Sequence, residues 1–585
     1  MSACRYVGRV GGLAVALGVG AAVYSGAAVA WADTSSPSGS VSAGPASSRA
    51  AKPVSRAAKP AAAKGTRRAA AAPAAVSVPV TASAATAGGN APATADVPVD
   101  LLAMAYSRRA SVTAAAALPA AAELTLPEIM GPSGVPIPSA DYVAKAMYYY
   151  VRPGNELPQP PDPQVIFTPE GLYPITGVKS LPLNTSVDQG IQILYRTLSA
   201  LDDGQPTTIF GYSQSAIIAG LLQSGYTTGG TLYDVPANIA GSVDFVLVGN
   251  ELNPNGGFLS RFTTTDYAPA LSLPSLGIPF YEATPADAYP TTNYTLEYDG
   301  FADFPRYPLN LLAVLNAGLG LALVHTKYVP GTGCRTYCTT FEQVQTATVL
   351  PVSATSTAQN YFFMPTENLP LLAPVRAIPI IGNPIADLVQ PLLKAIVDLG
   401  YADEVHGYPS GGQPDANVLV PFGLFPQVDP LEVATRMFNA IGQGITDFIN
   451  DFGPTGSVAR EISSITLPNL TSFTLPTSDG IITGIQTFVT SFANAISYSV
   501  ASYYSGLLPT ADVVNAILTS LPGYSVSLFL GGVQQILSGD PLGGLVNAIG
   551  MPIAANIGLV TTASLVVALS WAQAIAGVFG LNLSA

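Results

Sequence analysis

One serine in this chain stands where a hydroxyl can become a nucleophile. Residues 207–210, Thr-Thr-Ile-Phe, read as a short buried strand, and Gly211-Tyr212-Ser213-Gln214-Ser215 follows at once. The next run, 215–222, has the composition of an apolar helix. A strand that turns sharply into a helix lifts the Ser213 side chain off the end of the sheet, and small flanking residues let the two backbones approach. The helix amino terminus adds positive potential where a developing oxyanion would sit. Ser215 replaces the glycine usual at the end of such a motif, and serine is small enough to fit.

A serine hydroxyl needs a general base at neutral pH. The chain has two histidines, His325 and His406. Both follow Ser213, as the order nucleophile, acid, histidine requires, so order does not choose between them. The acid belongs on a loop after a late strand. Residues 294–298 read as that strand, and Asp299-Gly300-Phe301-Ala302-Asp303-Phe304-Pro305 follows. Asp303 is the preferred acid, because Gly300-x-x-Asp303 matches the acid loop of many α/β-hydrolases. Asp299, at the strand end, is the alternative. The plainer readings are a turn-forming Asp beside Gly and a buried structural histidine. An oxyanion hole needs two backbone N–H donors. Gln214 is expected to give one, and Gly131 or Gly134, in Gly131-Pro132-Ser133-Gly134, the other.

Positioning these groups takes alternating strands and helices. Strands are expected at 165–167, 207–210, 245–248 and 294–298. Residues 186–200 carry Val187, Ile191, Leu194, Tyr195 and Leu198 at helical spacing. This alternation predicts βαβ units and a mostly parallel sheet, that is, an α/β-hydrolase fold over residues 124–430. From about 431 the pattern becomes amphipathic helical segments broken by Pro and Gly.

Residues 1–32 read as a secretory signal: Arg5 and Arg9, an apolar run at 11–23, then Ala28-Val29-Ala30 or Ala30-Trp31-Ala32 as a cleavage site. Residues 33–123, rich in Ala, Pro and Ser, predict a disordered linker. From Leu124 onward 12 Lys and Arg face 32 Asp and Glu, a net of about −20. So acidic a body argues against nucleic acid as a partner. Beyond the signal only Cys334 and Cys338 remain, and in an oxidising compartment they read as one disulfide. Two Cys and two scattered His lack metal-ligand spacing, so neither metal nor cofactor is expected. No charged side chain follows Asp540. Residues 557–575 nearly match a bilayer core in length, yet several Ser and Thr make lipid-surface association or self-packing of 431–585 the favoured expectation.

Five separated motifs carry a resemblance. They are the elbow 211–215, Asn253-Pro254-Asn255-Gly256-Gly257, the acid loop 298–305, His325-x-x-Tyr328, and Pro365-Thr366-Glu367-Asn368-Leu369-Pro370. In this order they resemble the PE-PPE domain of mycobacteria, a cutinase-like α/β serine hydrolase found on exported proteins. The resemblance covers roughly residues 124–428. It implies esterase, lipase or acyltransferase activity on lipid esters in a mycobacterial cell envelope. His325-x-x-Tyr328 is similar to the cutinase histidine motif, which favours His325 over His406. The usual amino-terminal PE or PPE helices are lacking, and a signal and linker stand there, as in exported acyltransferases that build trehalose glycolipids. Three functions follow as expectations: ester hydrolysis, acyl transfer to a sugar hydroxyl, and a catalytically idle envelope protein that kept the fold.

Overall fold

The structure, a computed structural model, describes residues 125–155, 160–263, 270–464 and 478–578. The signal and linker expected over 1–123 lie outside the described residues. Seven strands form the central sheet: β1 (Leu126–Ile129), β2 (Gln164–Val165), β3 (Thr207–Tyr212), β4 (Val243–Val248), β5 (Thr291–Leu296), β6 (Thr348–Val349) and β7 (Gln359–Met364). Their order is β6-β7-β5-β4-β3-β1-β2, parallel throughout except that β6 runs antiparallel to β7. This is the mostly parallel α/β architecture expected.

The strand sequences explain their burial on both faces. Along β3 and β4, Ile209, Phe245 and Leu247 enter one apolar core, while Phe210, Val246 and Val248 enter the other. Alternate residues of a strand point to opposite faces, so a sheet covered on both sides needs continuous apolar runs. One core receives α2 (Leu183–Ser199) and α3 (Gln214–Ser224). The other receives Val143 and Ala146 of α1 (Ala140–Ala146). The helix expected at 186–200 begins three residues earlier, and the strand expected at 294–298 is 291–296, with the chain already turning at Tyr298 (φ 65°). Strand β7 and helix α5 (Gly382–Asp398) were not expected from the sequence.

Helix α4 (Leu311–Leu323) leads into the histidine turn, and α6 (Pro430–Asp451) lies along α5. Beyond it the tail is helical as expected and is interrupted at Gly453-Pro454 and at Gly539-Asp540-Pro541, but among the described residues not at its other prolines. Helix α7 (Ser478–Leu537) runs through Pro509 and Pro522, and α8 (Pro541–Val578) runs through Pro552. Each proline removes one helical hydrogen bond, but tertiary packing carries most helical stability. Here α7 and α8 pack along each other and onto the α/β domain. Val513, Tyr524, Leu528, Ala554 and Leu559 join the same core as α2 and α3. Tyr173 donates its hydroxyl to Asp512 at 2.5 Å, and Tyr524 donates to the Phe262 carbonyl at 2.9 Å. Two stretches, Ser499–Leu537 and Pro541–Ala576, are long and apolar enough to cross a membrane. Their inner faces nevertheless pack on the domain, while Leu518, Leu542, Leu545 and Ile549 face outward.

Candidate active site

The nucleophile elbow forms as its sequence demands. Strand β3 ends at Tyr212, Ser213 takes φ 58° and ψ −124°, and α3 starts at Gln214. Gly211 permits the turn, because a Cβ there would lie 2.7 Å from the Ser215 carbonyl oxygen. Ser215 does more than fit. The Tyr212 N–H donates to its hydroxyl at 2.8 Å, and that hydroxyl lies 3.0 Å from the Tyr212 carbonyl, pinning the bend.

His325 arrives from the turn after α4. Its Nε2 lies 2.8 Å from Ser213 Oγ, and its Nδ1 lies 2.9 Å from both carboxylate oxygens of Asp299. Asp299 is fully buried and accepts two further bonds, from the Tyr328 hydroxyl at 2.7 Å and the Phe301 N–H at 2.9 Å. Tyr328 therefore holds the acid three residues after the histidine that the acid orients. Tyr212 donates its hydroxyl to the His325 carbonyl. Gly249 (φ 56°) leaves room for the ring, since a Cβ there would lie 3.2 Å from His325 Cε1. Burial opposes charge on the imidazole, but the Asp299 carboxylate and its hydrogen bond, with Glu251 beyond, hold the His325 pKa above its usual value.

Asp303, the acid preferred from the sequence, does not reach His325. Its Oδ2 accepts the Tyr298 N–H at 2.8 Å and sits 3.2 Å from His406 Nε2. The correction has a geometric cause. The strand ends at Leu296, so Asp299 already faces His325 at the end of the sheet that carries Ser213. The following turn, with Asp303 N–H donating to the Asp299 carbonyl at 2.6 Å, swings Asp303 away. His406 is clamped between Asp303 and Asp403, the latter 2.7 Å from Nδ1, with the Tyr401 ring stacked at 4.1 Å. Burial works against its charge, yet the two carboxylates hold its pKa well above the usual histidine value.

Of the oxyanion candidates, Gly134 needs correction: its N–H is taken by the Glu170 carbonyl at 2.7 Å, so it is not a free donor. Gly131 packs against Val135, where a Cβ would lie 2.1 Å from the Val135 carbonyl oxygen, which accounts for its missing side chain and leaves its N–H a candidate. From the same loop Pro132, Ser133 and Val135 line the cavity, and Ser133 donates its hydroxyl to the Gln214 side chain at 3.0 Å. Gln214 in turn donates to Ser186 Oγ at 2.6 Å, and its backbone opens α3 directly after Ser213. Cys334 and Cys338 are joined in a disulfide after the histidine turn.

One neighbour of the nucleophile was missed. Glu251, buried in the loop after β4, places Oε1 3.2 Å from Ser213 Oγ. Burial pushes its pKa up to about 7, against the lowering pull of His325 and the serine hydrogen bond. Nothing in its surrounding sequence marks it, because it enters the site through a strand end that pairs with β3 only in space. Above these groups lies a cavity of about 140 Å³ that Ser213 and His325 share with Val135, Leu172, Phe301 and Leu321. Its remaining wall is α8, through Val566, Leu569, Ser570 and Gln573.

Residues 160–402 match the family model described as the PE-PPE domain. The chain is 43% identical over 470 residues to an uncharacterised PPE family protein, PPE28, of Mycobacterium tuberculosis, covering 77% of this chain and 66% of that one. It is 39% identical over 326 residues to the esterase PE16 of the same organism (54% and 55% of the two chains). It is 29% identical over 210 residues to the diacyltrehalose acyltransferase Chp2, also of M. tuberculosis (34% and 51%). The chain thus spans between half and two thirds of the length of these relatives. No solved structure matches it. An elbow, a histidine turn and an acid loop set on a mostly parallel sheet, together with these matches, identify the chain as a PE-PPE domain protein.

Proposed function

We propose that this protein is a serine hydrolase of lipid carboxylic esters, acting through an acyl-enzyme on Ser213. The observation that carries the reading is the His325 imidazole, 2.8 Å from Ser213 Oγ on one side and 2.9 Å from Asp299 on the other. In that arrangement Nε2 takes the serine proton as Oγ attacks the ester carbonyl, and returns it to the leaving alcohol. Asp299 keeps Nδ1 protonated and stabilises the imidazolium. The Gln214 N–H, at the start of α3, faces the developing oxyanion, and Gly131 stays the loop's candidate for the second donor. The relative named as an esterase, PE16, supports hydrolysis.

Acyl transfer is the second reading, supported by the relative named as a diacyltrehalose acyltransferase. Water and a sugar hydroxyl attack the same acyl-enzyme, so product analysis separates them. With a lipid ester and trehalose supplied together, free acid alone supports the hydrolase, and acyl-trehalose in excess of free acid moves the assignment to transferase. A lipid surface in the cell envelope is the proposed place of work. The expected signal and the disulfide fit an oxidising, exported setting, and the outward apolar faces of α6, α7 and α8 fit contact with lipid. The full chain should then co-sediment with anionic and neutral lipid vesicles alike; a chain left wholly in the supernatant counts against that placement.

Glu251 predicts a particular pH profile. The Ser213 hydroxyl has one proton and two claimants, His325 Nε2 and Glu251 Oε1. Glu251 also faces Asp299, Glu170 and Tyr281. While protonated, Glu251 donates to Oγ and leaves the serine proton to His325. As pH rises through about 7 it ionises and competes for that proton. Activity should therefore fall on the alkaline side of a bell-shaped kcat/KM profile. Glu251→Gln, which keeps a donor at every pH, should lose that alkaline limb. An identical profile in both proteins would remove Glu251 from the mechanism.

A further inference from the structure

A second apolar chamber, of about 80 Å³, lies behind the catalytic cavity. The two chambers share the walls Leu172, Ile175, Phe301, Leu321 and Val566. Beyond Val566 the rear chamber is lined by Leu273, Leu276 and Phe280, by the buried carboxyl of Glu251 on the side of Ser213, and by Val513 of α7, with Leu559, Thr562 and Ala563 on α8. On α8 the lining positions are 559, 562, 563, 566, 569, 570 and 573. That spacing of three and four residues places them all on one helical face, so a single stripe of α8 roofs the whole path from Ser213 to the rear.

These features carry one conclusion. The path begins at the Ser213 hydroxyl, and past Glu251, which lies beside that hydroxyl, its lining is apolar but for Thr562, as far as Val513 and Leu559. A polar acceptor or a headgroup would find few hydrogen-bond partners there, whereas a hydrocarbon chain needs none. We infer that the paired chambers are the acyl-chain site, and that α7 and α8, which lie beyond the matched PE-PPE region, set the chain length the enzyme accepts. This rests on the ester-hydrolase reading and deepens it. An apolar cavity of about 150 Å³ takes one benzene. At that filling the two chambers together hold roughly eight to ten carbons. The substrate is thus a medium-chain acyl ester, held with its carbonyl at Ser213 and its terminal methyl against Val513 and Leu559. The helical tail is then part of the specificity machinery of the enzyme.

The experiment uses the full chain and p-nitrophenyl esters of two to sixteen carbons. The wild type should show its highest kcat/KM near eight to ten carbons. Ala563→Phe places a ring in the rear chamber and should raise the butanoate-to-decanoate ratio of kcat/KM at least ten-fold. Val513→Ala enlarges the far end and should lower the same ratio several-fold. Labelling of Ser213 by a fluorophosphonate reports that each variant is folded at its site. An active wild type whose ratio moves in neither variant, both of them labelled, overturns the acyl site and leaves the hydrolase reading standing. If Ala563→Phe fails to fold, Val513→Ala decides alone, because removing two methyl groups opens space without forcing the helices apart. A labelled wild type that turns over no ester overturns both readings.

Discussion

Ser213→Ala is expected to lower kcat for ester hydrolysis by about 10⁶-fold, the scale on which loss of the nucleophile acts in other serine triads. It should also abolish labelling by a fluorophosphonate. The estimate assumes that the rest of the site survives, and the surroundings of Ser213 support that. The elbow is held by Ser215 and Gly211 rather than by the Ser213 hydroxyl, whose only neighbours in bonding distance among the described residues are His325 and Glu251. Alanine adopts the positive φ of this position no less readily than serine, so circular dichroism and melting should be nearly unchanged. A variant that labels as strongly as the wild type would show that another residue carries the acyl group.

The two acids should separate by kind of effect as well as by size. Asp299→Asn keeps the shape of the site but offers Nδ1 an amide, which favours the wrong imidazole tautomer. The expected loss is about 10⁴-fold in kcat. Asp303→Asn leaves His325 with its partner and acts elsewhere. It weakens one side of the buried Asp303–His406–Asp403 cluster, whose histidine is held charged by two carboxylates. Removing a partner from a buried ion pair costs about 3–5 kcal/mol, which in a domain of this size is roughly a 10 °C loss of Tm. Turnover by the folded fraction should fall only modestly. Stopped-assay kinetics at 25 °C beside a thermal melt check both. Catalytic loss concentrated in Asp303→Asn, with Asp299→Asn nearly active, would reverse the assignment.

The elbow was legible because everything it needs is local. A strand, a small residue, a serine and a helix occupy about fifteen consecutive positions, and each imposes a visible composition. The histidine could be narrowed to two because the chain has two. The acid could not be fixed, since Asp299 and Asp303 both follow one strand, and a change of two residues in where that strand ends decides which carboxylate faces the site. Pattern matching on Gly300-x-x-Asp303 favoured the wrong one. Its real partner, His406, lies 103 residues further on in a loop after α5, a helix the sequence reading did not propose. Strand β7 was missed for a related reason. Asn360-Tyr361-Phe362-Phe363-Met364 is a short apolar run that only pairing with β5 identifies as a sheet member. The roof over the cavity was the least legible part. Val566 lies 353 positions after Ser213, and an apolar helix face looks the same from sequence whether it meets lipid, another helix or a substrate.

The backbone of Ser213 has a consequence for any attempt to make the protein hardier. Positive φ at a residue with a side chain costs on the order of 1–3 kcal/mol, and the surrounding elbow, set by Gly211 and Ser215, imposes it. Glycine would relieve that strain with no other change. Position 213 is therefore one where heat tolerance and chemistry pull in opposite directions. A library screened for survival at high temperature alone would enrich glycine at the position proposed to carry the nucleophilic oxygen, yielding sturdier molecules with an empty elbow.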